Sequence, residues 1–201
     1  KVLYEGKVGS NKAANISRYI QLNPITLKDE QAIEIGKEMG IHHFALSFAS
    51  SKNDIKLMKD KIGNDSYLIS KVESLIALNN LQDIIKLSDA ILIDRGDLSR
   101  QVPIEKIPFL QRRIISSSRA RNREVFVATN LLESMVTTML PTRAEVNDVV
   151  STLLMGASGL VLAAETAIGQ YPVECVEMMH KLIKEYNRWT PDNNLEDILA
   201  D

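Results

Sequence analysis

The chain has 201 residues, 45% of them apolar, with 24 basic against 26 acidic side chains and a formal net charge of −2. Apolar content of this order builds a substantial single core and excludes intrinsic disorder, while a charge so near neutral excludes whole-molecule attraction to nucleic acid or to an anionic membrane. The single cysteine, Cys175, excludes an internal disulfide framework and suits a reducing compartment.

No apolar run reaches membrane-spanning length, and the opening residues lack the long apolar stretch of a signal peptide, so a soluble, cytoplasmic protein is expected. Along the chain, short apolar runs alternate with amphipathic segments. After a turn at Pro24 helical spacing predicts a helix over 27–39, then an apolar run at 42–48 and a helix over 53–62. A run at 67–72 leads into helical spacing over 75–87 with a break, followed by a run at 90–93 and a helix over 104–121. Runs at 125–129 and 159–163 bracket a helix over 143–155, and a last helix is predicted over 173–186 before an acidic, mobile tail from 191 to 201. Strand, helix and strand repeated with compact connections predict a parallel sheet with crossover helices. The runs are apolar at successive positions, the pattern of strands covered on both faces.

Polar chemistry gathers where the runs stop: Ser47 with Phe48, Lys71 with Glu73, Arg95 with Gly96 and Asp97, Thr129 with Asn130, and Glu165 with Thr166. A (β/α)8 barrel carries its active site on that face. An open doubly wound sheet binds ligands there too, so this pattern leaves both architectures open. No Gly-x-Gly-x-x-Gly or Gly-x4-Gly-Lys-Ser/Thr stretch follows a strand, which counts against dinucleotide and P-loop readings. Carboxylates such as Glu73 and Asp97 at strand ends suit a hard divalent ion that shares its sphere with substrate oxygens, and Lys71 could meet a negative charge forming on that substrate. The plainer alternative makes Lys71 with Glu73, and Arg95 with Asp97, ordinary surface ion pairs.

Five strings then carry a resemblance. Ile-Ser-Lys-Val-Glu-Ser (69–74), Asp-Arg-Gly-Asp-Leu-Ser (94–99), Ala-Thr-Asn-Leu-Leu-Glu-Ser-Met (128–135), Pro-Thr-Arg-Ala-Glu-Val-Asn-Asp-Val (141–149) and Glu-Thr-Ala-Ile-Gly-Gln-Tyr-Pro (165–172) resemble successive signatures of the pyruvate kinase family, in its order and at compatible spacing. The resemblance runs from about Ile25 to Trp189 and implies the C-terminal part of a (β/α)8 catalytic barrel, with about five βα units present over 25–190. It also implies that residues 1–24 end a lid domain and return into the barrel.

The implied activity is magnesium-dependent phosphoryl transfer from phosphoenolpyruvate to ADP, giving pyruvate and ATP. By resemblance, Glu73 and Asp97 are the protein ligands of Mg2+ or Mn2+, and Lys71 stabilises the transferring phosphoryl group and the enolate of pyruvate. Gly96 and Asp97 offer backbone amides to the substrate carboxylate, where free N–H groups favour an anion, and Thr129 completes that contact. Arg95, Arg143 with Glu145 and Asp148, and Glu165 with Thr166 form a supporting shell; Glu133 is one expected partner of Arg95, and burial and helix capping account for Glu165 and Thr166 nearly as well. A homo-oligomer is implied, and a K+ site would lie outside this chain.

Departures from the family pattern matter too. Ala163-Ala164 stands where Ser-Gly is usual, Ser74 where asparagine is, Asp94 where alanine is, and Ser50 where arginine is common. The added Asp94 beside Asp97 would either strengthen metal binding or raise a neighbouring pKa by like-charge repulsion. Five units fall short of the eight in a closed barrel of roughly 250 residues, leaving two open sheet edges unless other elements or a second subunit complete it. Two other readings share the chemistry: a metal-dependent aldolase or lyase of pyruvate enolates, and a non-catalytic phosphoenolpyruvate-binding relative. His42 and His43 read as packing residues, Met155, Met178 and Met179 as core, and Cys175 as an inert thiol. Arg112, Arg113, Arg119, Arg121 and Arg123 complement a helix C-terminus rather than bind nucleic acid.

Overall fold

The computed structural model describes residues 22–200; the segment expected to end a lid domain lies largely outside them. Five parallel strands form one sheet: β1 (His43–Leu46), β2 (Tyr67–Val72), β3 (Ala90–Asp94), β4 (Glu124–Ala128) and β5 (Gly159–Val161). Their order in space is their order in the chain, every neighbouring pair parallel. A doubly wound sheet reverses its strand order at a switch point; a steady progression is what the wall of a barrel requires. The strand order thus decides what periodicity left open. The protein is α/β, an arc of the (β/α)8 type with five strands among the described residues.

Helices α1 (Leu27–Glu38), α2 (Lys52–Ile62), α3 (Leu75–Asn79), α4 (Leu81–Leu87), α5 (Arg95–Leu98), α6 (Ile107–Arg119), α7 (Arg143–Leu154), α8 (Ala164–Ala167), α9 (Pro172–Arg188) and α10 (Leu195–Leu199) follow in chain order. Local chemistry sets where they begin. Thr26 with Asp29, Ser51 with Asp54, and Thr142 with Glu145 close reciprocal capping boxes on α1, α2 and α7. The break expected within 75–87 falls at Asn80, whose side-chain amide donates to the Ser50 carbonyl at 2.8 Å and ties the α3–α4 junction to the loop after β1. Within the segment expected as a tail, Leu195–Leu199 forms a helix capped by Asn194.

Packing differs from the expectation of strands covered on both faces. In β2 burial alternates: Leu68, Ser70 and Val72 are buried against the helices, while Tyr67, Ile69 and Lys71 are half-buried on the other face. The helix-side face is the main core, where Leu68, Val72, Ile91, Ile93, Val125 and Val127 meet Ile55, Ile84, Ile114 and Ile115. Buried Ser70 accepts from the Ser88 hydroxyl at 2.7 Å. The inner face is less covered because its filling comes from strands across a barrel, and the described strands form an arc. A second cluster of Leu131, Leu132, Met135, Val149, Leu153, Cys175 and Met179 joins α7 and α9 to the loop after β4. No helix among the described residues is long and apolar enough to cross a membrane.

Candidate active site

Register brings the polar strand ends together. Val72 pairs with Ile93 and Asp94 with Ala128, so Glu73, Asp94 and Thr129 leave adjacent strands at one level of the sheet. Lys71, on the inner face of β2, reaches Glu73 Oε1 at 2.6 Å and Asp94 Oδ2 at 3.4 Å. Glu73 is 1% exposed, and its other oxygen accepts from the Phe48 backbone N–H. Burial pushes the Glu73 carboxyl up, against the opposing pull of Lys71 and the Phe48 N–H. Burial pulls Lys71 down, but the Glu73 and Asp94 carboxylates outweigh it and the net shift is upward, so the amine stays an ammonium.

Asp94 caps α5, its Oδ1 accepting from the Asp97 N–H at 3.4 Å. The Gly96 N–H donates to Thr129 Oγ1 at 2.8 Å. A Cβ on Gly96 would lie 3.4 Å from that hydroxyl and 3.5 Å from Asp94 Oδ1, in ordinary van der Waals contact with both. Thr129 has a φ of 72°, an outlier for a β-branched residue. That turn places its hydroxyl 2.6 Å from the Ala128 carbonyl and 3.5 Å from Asp94. Phe48 and Asn130 also sit at positive φ, 51° and 52°; such conformations concentrate at functional strand ends.

Glu73, Asp94 and Asp97 offer carboxylate oxygens that all lie within 4.8 Å of one another. Three carboxylates against the Lys71 ammonium and the Arg100 guanidinium beside Asp97 still leave an excess of negative charge, and oxygen donors in that number fit a hard divalent cation. The donor set therefore suits Mg2+ or Mn2+.

The outer residues divide differently from the sequence reading. Arg95 pairs with Asp148 of α7 at 2.7 Å rather than with Asp97 or Glu133. It also donates to the carbonyls of Thr129 at 2.7 Å and Asn130 at 3.1 Å and to Gln111 at 3.4 Å, clamping the end of β4 to α6 and α7. Glu133 is instead the partner of the Asn130 amide, and Asp97 pairs with Arg100 at 3.4 Å. Glu165 is 1% exposed and accepts from the Leu132 and Ala163 N–H groups, at 3.2 and 2.8 Å, holding two loops together. Arg143 is the exposed first residue of α7, and among the described residues no hydrogen bond or ion pair links it to the acidic cluster. Asp94, the added carboxylate that the sequence offers either to strengthen metal binding or to repel its neighbours, stands within this acidic group. Its position three residues before Asp97, at a strand end, is an N-cap signal that points to its place here.

The family described as "Pyruvate kinase, barrel domain" matches residues 1–176. The pyruvate kinase of Agrobacterium vitis is 39% identical over 186 residues, 92% of this chain and 39% of that protein. Those of Thermotoga maritima and Thermococcus litoralis are also 39% identical, over 184 and 187 residues, covering 90% and 91% of this chain and 40% and 39% of theirs. The chain spans about two fifths of the length of the curated relatives it matches. With a family match running from residue 1 to residue 176, and such relatives aligning over 90% or more of its length, the chain belongs to the pyruvate kinase family.

Proposed function

We propose that this chain provides the phosphoenolpyruvate side of a pyruvate kinase active site, for phosphoryl transfer to ADP in glycolysis by a cytoplasmic homo-oligomer. The observation that carries the reading is the meeting of Lys71, Glu73, Asp97 and Thr129 at the C-terminal ends of adjacent parallel strands. Glu73 and Asp97 would hold Mg2+ or Mn2+, which supplies neutralisation of the charge on phosphoryl and enolate oxygens when bound. Lys71, kept as an ammonium by its carboxylate neighbours, binds an oxygen of the phosphoryl group. As the bond from phosphorus to the enol oxygen breaks and a bond to the ADP β-phosphate oxygen forms, Lys71 meets the charge left on the enolate. The Gly96 and Asp97 N–H groups and the Thr129 hydroxyl orient the substrate carboxylate. Burial of Glu73 beside Lys71 fixes the ammonium before substrate arrives.

Calorimetric titration with Mg2+ and phosphoenolpyruvate, followed by addition of ADP and measurement of pyruvate, tests this directly. Asp97→Asn should weaken Mg2+-dependent binding of phosphoenolpyruvate at least about tenfold, and Lys71→Met should abolish pyruvate formation. Equal binding by wild type and Asp97→Asn would remove the metal assignment.

A further inference from the structure

We propose that Asp94 is a specificity-determining residue whose carboxylate competes with the substrate carboxylate for its own binding groups. Both of its oxygens are engaged as an anion's would be: Oδ1 with the Asp97 N–H at 3.4 Å and the Thr129 hydroxyl at 3.5 Å, Oδ2 with the Lys71 ammonium at 3.4 Å. These three groups are the ones assigned above to the incoming substrate, and the inference rests on that assignment. Asp94 itself is 9% exposed, so its charge is poorly screened and acts on an anion entering beside it. The contacts lie at the long limit for hydrogen bonds and ion pairs. An anion held that loosely is displaceable, at a cost set by the charge it must push aside. The Thr129 hydroxyl has one proton and two acceptors in reach, the Ala128 carbonyl at 2.6 Å and Asp94 at 3.5 Å, and rotation about the Cβ–Oγ1 bond lets an incoming carboxylate take it. Asp94 thereby sets a threshold: an anion enters only if it outcompetes the internal carboxylate, a cost common to every carboxylate ligand, and repulsion by the Asp94 charge adds to it most for ligands carrying a second anionic group.

The test measures oxalate, phosphoenolpyruvate and acetate binding to wild type, Asp94→Asn and Asp94→Ala by calorimetry, once with EDTA and once with Mg2+. Asparagine retains N-cap capacity without the charge, so the inference stays testable if the alanine variant folds poorly. Both variants should bind oxalate and phosphoenolpyruvate at least about tenfold tighter, with or without metal, and acetate, with a single charge for Asp94 to repel, should gain by a smaller factor. Oxalate affinity unchanged or weaker in Asp94→Asn would overturn the inference. Weakened Mg2+ binding without any gain for anions would overturn it as well and make Asp94 a metal ligand. The functional reading fails by a different signature: oxalate affinity in wild type that responds neither to Mg2+ nor to Asp97→Asn, whatever Asp94 does.

Discussion

Lys71 and Glu73 show what a buried charge demands of its neighbours. Glu73 is 1% exposed and Lys71 lies 2.6 Å from it, so removing the ammonium leaves a carboxylate in a dry site with only the Phe48 N–H. Breaking one side of such a pair costs about 3–5 kcal/mol, because the surviving charge is uncompensated. Lys71→Met should therefore lower stability by about that amount in urea denaturation, and Lys71→Met with Glu73→Gln should recover most of it. A Lys71→Met variant as stable as wild type would show that the ion pair is not what holds Glu73 inside. Lys71, Glu73, Gly96, Asp97 and Thr129 were legible as a group because each lies at or within a few residues of the end of an apolar run. The partner of Arg95 was not. Asp148 lies 53 positions along the chain, and only the packing of α7 beside the end of β4 selects it over Glu133.

Within the elements, boundaries moved where backbone conformation changed. The run at 67–72 is β2 from end to end. The run at 42–48 shortens to His43–Leu46, and Phe48 has turned to a φ of 51°. The strand expected at 125–129 ends at Ala128, because Thr129 adopts a φ of 72°. The last run stops at Val161, and by Ala163, at φ −129° and ψ −99°, the chain is entering α8. At α7 the Glu145 carboxylate accepts from Thr142 and from both the N–H and the hydroxyl of Ser134, which ties the helix start to the loop after β4. Burial pushes Glu145 up, but these hydrogen bonds outweigh it and the net shift is downward. A carboxyl with a depressed folded value adds stability above its unfolded value and loses it as pH falls through the folded one. Glu145→Gln should thus be about 1–3 kcal/mol less stable at neutral pH. The difference should hold down to about pH 4.5, the ordinary value of the group, and vanish in more acid solution; a constant gap across that range would exclude the charge as its source. Gly169 makes a sharper steric case, since a Cβ there would lie 2.2 Å from the Glu165 backbone oxygen. Gly169→Ala should cost more than about 2 kcal/mol, read from its chemical-denaturation midpoint.

At the scale of the molecule, the sheet bears two edges: among the described strands β1 pairs only with β2, and β5 only with β4. Unpaired edge N–H and C=O groups recruit other strands. The 201-residue chain by itself should self-associate over the micromolar range in sedimentation velocity, and Ala45→Lys, which places a charge on exposed β1, should shift it towards monomer. A chain that remains monomeric throughout would show that the edges are already covered. The sequence alone determined the order and type of the five strands and of the longer helices between them, and the chemistry at the strand ends, because apolar periodicity, caps and breaks act over a few residues; the short helices α5, α8 and α10 it did not show. Tertiary structure alone decided that the strands progress in one direction as a barrel wall and that Arg95 turns to Asp148. These outcomes depend on strand register and on helices packed across tens of residues, and no local pattern in the chain encodes them.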